Sequence, residues 1–340
     1  MSIPDTADRP VQPAVSVVIP TFNRARLLRE VLESLFEQNF DPARYEIIVV
    51  DNASTDETPR MMEELKRSAP CRFTYRYLTE DHGPTGARNL GVALASAPIV
   101  AFTDSDCRTH PDWLARGTEA FTGDVAFMTG TVLPKPDQRV RFFSGFQHEV
   151  TREHASYPTC NAMYRRDLFL EMGGFDENLY FTTVFNDKPV ECSDTDLAWR
   201  IKNRGGRNAF VPEAIGYHDV GVREPWLWVI DPFRLFSLPA LVKKHPQLRR
   251  HLLHGGVFFM REAPFFYLAL AGLMLGVVMH PAFLLLMLPF PAALAFRLRK
   301  NLTARSLPKV AGQMVLLAAR LTFASAGLVY GSVRFRSLVL

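Results

Sequence analysis

The first two thirds of this chain predict an α/β fold, a mainly parallel sheet flanked by helices. The last third predicts an apolar, basic helical region. Two observations carry the prediction. Between residues 15 and 103, short β-branched runs alternate with stretches of helical apolar spacing, the pattern of crossovers that put helices on both faces of a parallel sheet. Charge is also split along the chain: residues 231–340 hold 14 Lys and Arg against 2 Asp and Glu, and residues 1–230 hold 25 against 33. A tail at +12 that is also apolar fits an anionic membrane surface better than nucleic acid.

The elements follow in order. Residues 1–14 carry Asp5, Asp8 and three prolines, lack the charged-then-apolar pattern of a signal peptide, and read as a flexible leader. Val15–Pro20 is a buried strand and residues 24–38 a helix with apolar positions Leu27, Leu28, Val31, Leu32, Leu35 and Phe36. Tyr45–Val50 is the second strand, and Thr55–Ser68 a helix with Asp56 and Glu57 in its first turn. Phe73–Leu78 is a third strand, Gly86–Ser96 a helix and Ile99–Thr103 a fourth strand. Residues 104–230 are less regular, with strands at Val125–Val132 and Arg207–Val211 and helices at Arg165–Met172 and Asp194–Asn203. The composition, 48% hydrophobic and 22% charged over 340 residues, excludes disordered, collagen-like and disulfide-stapled classes and allows about two domains. Cys71, Cys107, Cys160 and Cys192 show no metal-type spacing and read as reduced thiols of a cytosolic compartment.

The tail begins with Pro232–His254, which mixes Phe, Leu, Lys and Arg as an interfacial amphipathic helix does. Residues 264–296 then run 33 positions without Asp, Glu, Lys or Arg. One helix of that length would be roughly 50 Å, against a hydrocarbon core of about 30 Å. Pro281, Pro289 and Pro291 argue for a break, giving two short spans or a re-entrant hairpin. Val310–Val333 is apolar apart from Arg320. Basic flanks at Arg261 and over 297–309 put both ends of the hairpin on the cytoplasmic face of the plasma membrane. A buried helical subdomain is the plain alternative.

Ligands of open parallel sheets sit beyond the carboxyl ends of the strands, where the polar motifs of this sequence fall. The first strand leads into Pro20-Thr-Phe-Asn23 and Arg24, the second into Asp51-Asn-Ala-Ser-Thr-Asp56, the third into His82-Gly-Pro-Thr-Gly-Ala-Arg-Asn89 and the fourth into Asp104-Ser-Asp106. Singly each has a plain explanation: Asp51 and Asp56 as helix caps, Gly83-Pro84 and Gly86 as turn residues, Arg88 as a surface charge. Together they suit a nucleotide. A carboxylate accepts from a base N–H, an Arg near a helix N-terminus suits a diphosphate, and paired carboxylates repel unless a hard divalent cation such as Mg or Mn joins them.

Ser16-Val-Val-Ile-Pro-Thr-Phe-Asn-Arg24, Ile48-Val-Val-Asp-Asn-Ala-Ser-Thr-Asp56, Gly86-Ala-Arg-Asn89 and Phe102-Thr-Asp-Ser-Asp106, in this order, resemble a family 2 glycosyltransferase of GT-A fold. The resemblance covers roughly residues 15–220. It implies a catalytic domain over 15–230, with a nucleotide-binding half at 15–106 and an acceptor half at 107–230, ahead of the membrane-associated region 231–340. It implies nucleotide contacts from Pro20, Thr21, Asn23, Asp51, Arg88 and Asp104, and a Mg or Mn ion on Asp106 with Asp104 beside it. Gly173-Gly-Phe-Asp-Glu177 and Ser193-Asp-Thr-Asp-Leu-Ala-Trp-Arg200 resemble the family's acceptor-side segment. They carry Gly174, Phe175, Asp196, Trp199 and Arg200. Ser193 stands where many members have Glu, so Asp194 takes the place of the base, with Glu191 as a substitute. Asp194 can also cap the following helix, and Asp196 supports the loop or helix start. His218 falls where several relatives place a metal-binding His; a structural role is its plain alternative.

The reaction so implied is inverting transfer from a nucleotide-diphosphate sugar, UDP being the usual donor for this motif set. The acceptor expected from the tail is a lipid-linked sugar, a polyprenyl phosphate or a cell-envelope glycan. A soluble acceptor such as a peptide or small metabolite, and a non-catalytic nucleotide-binding membrane scaffold, stay open. A nucleotidyltransferase would need a Gly-rich loop after the first strand, and a phosphatase of the aspartyl type would need Asp-x-Asp there.

Overall fold

The computed structural model describes residues 12–145, 149–182, 189–299 and 307–340. The chain divides into two compact units, Met1–Tyr180 with Ser193–Val222, and Phe181–Cys192 with Arg223–Leu340. Of the expected leader, residues 1–11 lie outside the described residues, as do 300–306 of the expected basic loop.

The first unit is built on β1 (Val15–Thr21), β2 (Tyr45–Asp51), β3 (Arg72–Tyr77), β4 (Ile99–Phe102), β5 (Cys107–Thr109), β6 (Val125–Pro134), β7 (Ala162–Arg165) and β10 (Arg207–His218). Their order in one sheet is β3-β2-β1-β4-β7-β6-β10-β5. β3, β2, β1 and β4 run parallel, β7 is antiparallel to both neighbours, β10 is parallel to β6, and β5 is antiparallel to β10. Every residue of β1 and β2 is buried, as befits central strands covered on both faces. Helices α1 (Ala25–Phe36), α2 (Thr58–Ser68), α3 (Gly83–Leu94), α4 (Trp113–Glu119), α5 (Arg166–Glu171) and α6 (Ser193–Asn203) complete the unit. α1 buries Leu28, Val31, Leu32 and Leu35 against the sheet core of Val15, Val17, Ile19, Ile47 and Val49.

Three sequence readings are corrected. α3 starts at Gly83 rather than Gly86: Pro84 suits a first helical turn, and Gly83, at a positive φ of 66°, makes the bend that leads into it; Arg88 therefore sits in the second turn. β10 runs on to His218 instead of ending at Val211, since a register shift between Val211 and Ile215 absorbs Pro212 and the sheet then resumes. β5 and β7, three and four residues long, were not anticipated.

Asn161 sits at the join of β6, β10 and α4. It is fully buried and donates to the carbonyls of Thr131 and Ala214, both at 2.8 Å, while its Oδ1 accepts from Trp113 Nε1 at 2.8 Å.

In the second unit, β8 (Tyr180–Thr182) and β9 (Pro189–Glu191) form a small sheet. The expected amphipathic helix over 232–254 is instead three short pieces: a 3-10 segment Asp231–Ser237, α8 (Leu238–Lys244) and α9 (Leu248–Leu252), following α7 (Pro225–Ile230). Pro239 opens α8 and Pro246 separates α8 from α9. The uncharged run is α10 (Ala263–Val278), a 3-10 segment Pro281–Met287 and α11 (Pro289–Arg297). Arg297 meets Glu262 at 2.8 Å, so the two ends of this hairpin are pinned together. Met274, Val277, Val278 and Met279, near its turn, are 62% to 78% exposed. α12 (Leu307–Phe335) is the one helix among the described residues long and apolar enough to cross a membrane. Its Gly327 and Gly331 let it lie directly against the carbonyls of Phe233 and Phe236. Arg320 is spent within the unit, over the Trp228 ring at 4.3 Å and donating to the Trp228 carbonyl.

Asn161→Leu should strand two carbonyls and an indole N–H in the interior. The expected loss is roughly 3 kcal/mol or more in denaturant unfolding; a loss under about 1 kcal/mol would show that the bridge is dispensable.

Candidate active site

The loops after β1, β2 and β4 meet at the carboxyl edge of the parallel strands. The first two are fastened to each other. Asn23, at φ 51°, accepts on Oδ1 from Thr55 N at 2.7 Å and Asp56 N at 3.2 Å, while its own N–H donates to Ser54 Oγ at 2.8 Å. Asp56 accepts from Ala25 N and Thr58 N, capping the starts of α1 and α2 at once. Asp51 has no exposed surface, and its oxygens accept from Ser54 N at 2.9 Å and the Tyr75 hydroxyl at 2.7 Å. Asn23 and Asp51, both expected as nucleotide contacts, hold these loops in shape through the same bonds. Pro20 and Thr21 are buried at the end of β1. The hydroxyls of Thr21 and of Thr103, which follows β4, are buried with no partner among the described residues; unpaired buried hydroxyls at a strand edge call for a ligand group or water.

Arg88, 7% exposed, donates to Asp104 Oδ1 at 2.8 Å. Burial works to raise the Asp104 carboxyl, but the Arg88 guanidinium, then His218 and Arg24, outweigh it and hold it below the usual carboxylate range. Asp106 stands between two cationic side chains: Arg24 Nη1 lies 2.6 Å from Oδ2, and His218 Nε2 lies 3.6 Å from Oδ1. Asp106 Oδ1 is buried with no hydrogen-bond partner.

The sheet register sets His218. It is the antiparallel partner of Cys107, so the two side chains share a face beside Asp106. One ligand atom from each of Asp106, Cys107 and His218 lies within 4.8 Å of the others. The His218 Nδ1 is 2.8 Å from the Asp219 carbonyl, and Asp219 N–H donates to the Asp106 carbonyl at 3.0 Å. The first contact keeps the proton on Nδ1 and turns Nε2 toward Asp106, the arrangement a metal-ligating imidazole needs. Burial opposes the imidazolium, yet Cys107, Asp106 and Asp104 lift His218 to about 9. A carboxylate with an orphaned oxygen, an imidazole fixed in tautomer and a thiol form a donor set that fits a divalent cation.

Lys135 is buried beneath this edge. Its Nζ meets Glu30 at 2.7 Å, its N–H donates to the His218 carbonyl at 3.1 Å, and Gln138 holds Asp219 at 2.7 Å. Sequence reasoning missed Lys135, which reads as a turn residue between two prolines, and missed Cys107, whose only signal was its place after Asp104-Ser-Asp106. Arg24 stands at the end of the first motif, and nothing local marks it as the partner of Asp106.

The acceptor-side residues cluster as well. Gly173 and Gly174 have φ of 76° and 68°, and a Cβ on Gly174 would lie 2.7 Å from Asn89 Oδ1. Asn89 pairs with both the N–H and the carbonyl of Phe175, each at 2.9 Å. Phe175 packs on Phe102 and Phe169. Asp196 is fully buried and paired with Arg200 at 2.7 Å; Arg200 in turn donates to the carbonyls of Met172 and Gly174. Trp199 donates to the Ala155 carbonyl at 2.9 Å. Asp194 is half-buried in the first turn of α6, with Oδ1 2.7 Å from Thr195 N, and Ser193 meets the Thr85 hydroxyl at 3.1 Å. Glu191 ends β9 in the second unit.

Residues 16–173 match the model for Glycosyl transferase family 2. The chain is 27% identical over 252 residues to the glycosyltransferase AglE of Haloferax volcanii, covering 67% of this chain and 79% of the relative. It is 39% identical over 278 residues to a validoxylamine A glucosyltransferase of Streptomyces hygroscopicus subsp. limoneus, covering 69% and 58%. Thus the chain spans less than two thirds of that relative. A mannosyltransferase of Pyrobaculum calidifontis, solved with GDP-Man and Mn2+, superposes with a TM-score of 0.58 at 21% identity, covering 96% of this chain and 87% of that one. Residues 16–173 thus form a family 2 glycosyltransferase domain, and the chain has a GT-A-type fold.

Arg200→Met should take from the buried Asp196 carboxylate its cationic partner, at a cost of about 3 kcal/mol in unfolding free energy. The double variant Asp196→Asn/Arg200→Met should recover part of that loss. Equal stability of the single variant and the wild type would remove the clamp from the account.

Proposed function

We propose that the protein is a metal-dependent, inverting glycosyltransferase that uses a nucleotide-diphosphate sugar, with a UDP-sugar as the expected donor, and acts at a membrane surface. The observation that carries the reading is Asp106, with its orphaned oxygen beside His218 at the carboxyl edge of the parallel strands. Asp106 and His218 would hold a Mg or Mn ion, with Asp104 close by; bound there, the ion offsets charge on the leaving diphosphate. Support comes from the Mn2+ and GDP-Man in the Pyrobaculum calidifontis enzyme. Arg88 is positioned by Asp104 to add a fixed positive charge on the donor side. Asp194 takes the proton from the acceptor hydroxyl, with Glu191 as its substitute. One displacement on the anomeric carbon inverts its configuration.

The second unit supports the membrane reading. Its hairpin is pinned at Glu262 and Arg297, basic residues follow α11, and the turn presents an exposed apolar tip. α10 is about 24 Å long, short of the roughly 30 Å hydrocarbon core, so it dips into one leaflet rather than spanning. We take this leaflet to be the cytoplasmic one. An enzyme held at a lipid surface meets an amphiphilic acceptor at raised effective concentration, which favours a lipid-linked sugar, a polyprenyl phosphate or a growing envelope glycan. A second reading, a small soluble acceptor, is favoured by the 39% identity to a validoxylamine A glucosyltransferase.

Incubation with a panel of nucleotide-sugars, Mn2+ and a cell extract should label one product class. Label in the organic-solvent phase supports the lipid-linked acceptor, and label confined to the aqueous phase supports the soluble one. Asp106→Ala should lower metal-dependent transfer by about 100-fold or more while the protein still folds cooperatively. Wild-type turnover in that variant would remove the metal assignment.

Flotation with anionic vesicles should carry the wild-type protein upward. Val277→Glu/Leu285→Glu should reduce that binding about tenfold or more, because both side chains are exposed and contribute apolar area to insertion. Undiminished binding would remove the hairpin from membrane attachment.

A further inference from the structure

We propose that Cys107 is a third, sulfur ligand at the Asp106–His218 position, so that the site takes a thiophilic divalent ion of the zinc class in competition with Mg or Mn. The inference rests on the metal reading above and goes beyond it. Three independent features point to it. Cys107 and His218 are directly opposed across β5 and β10, so the thiol and the imidazole project from one face. The Cys107 sulfur lies in the same 4.8 Å cluster as an Asp106 oxygen and a His218 nitrogen. Asp106 Oδ1, the oxygen nearer His218, has no hydrogen-bond partner.

The ligand chemistry then sets the preference. Mg takes oxygen donors in octahedral geometry and gains nothing from sulfur. A mixed set of one carboxylate, one imidazole and one thiolate suits zinc or cobalt, which accept four-coordinate sites with sulfur at about 2.3 Å. Three protein ligands leave one position for water or a phosphate oxygen. A bound ion would take Cys107 as thiolate and His218 through a neutral Nε2, so the thiol and the imidazolium would each release one proton to the buffer, and Arg24 would leave Asp106. Cys160 touches the Cys107 thiol through a hydrogen bond and lies outside the three-ligand cluster.

The test is titration of the full-length protein with Co2+, which reports sulfur ligation by an intense near-ultraviolet thiolate-to-metal band. Mn2+ binding is followed in parallel by electron paramagnetic resonance. The wild type should develop the cobalt band at one equivalent. Cys107→Ala and Cys107→Ser should lose it and still bind Mn2+, and Cys160→Ser should keep it. Zn2+ should displace Mn2+ from the wild type at a concentration about tenfold or more lower than from Cys107→Ala. Cobalt bound to the wild type without a sulfur band, beside normal Mn2+ binding, would overturn the Cys107 assignment and leave the metal site standing. A band that survives in both Cys107 variants would overturn it equally. Failure of the wild type to bind either ion would overturn both this inference and the metal reading.

Discussion

Negative charge concentrated on Asp106 is the constraint around which the first unit is organised. A carboxylate largely shut away from water needs cationic neighbours. Here one comes from the loop after β1, as Arg24, and another from the end of β10, as His218. Those residues are far apart in sequence, and only the strand order brings them together. β4 lies next to β1, while β10 pairs with β5, the strand that begins directly after Asp106. Arg24 and the imidazolium thus offset the Asp106 charge, and under the proposed reading a bound cation would replace charges already present.

Much of the remaining polar chemistry serves to hold this edge still. Asn23 and Asp56 tie the β1 and β2 loops, Asp51 shapes its own turn, and Arg200 closes the Gly173–Gly174 loop from α6. Lys135 and Gln138 fix the segment carrying His218 and Asp219 from below. These contacts are all made by the chain's own residues. A site whose loops are preformed spends little binding energy on ordering them when a charged donor arrives.

The legible part of the fold was the part set by local pattern. β1 and β2 are continuous apolar runs because both faces are covered, and α1 shows its buried stripe at Leu28, Val31, Leu32 and Leu35. The Asp104–Asp106 loop was legible from its place after the fourth strand. β5 and β7 are too short to show a period, and β10 looked finished at Val211 because a proline followed. Cys107 was hidden for a related reason: its pairing with His218 exists only in the register of two strands about 110 residues apart. Asp51 and Asn23 are legible as loop residues, but the bonds by which they tie the β1 and β2 loops exist only in the folded chain. In the tail, Pro239 and Pro246 cut an apparent amphipathic helix into pieces.

The central claim is that the carboxyl edge of the sheet is a metal-dependent donor site. It is tested most directly by calorimetric titration of the wild-type protein with uridine, guanosine, adenosine, cytidine and thymidine diphosphates, each with and without Mn2+. The account predicts that one of them binds at least about tenfold more tightly with the metal than without it. Binding of none of the five, or binding of equal strength in the presence and absence of metal, would contradict it.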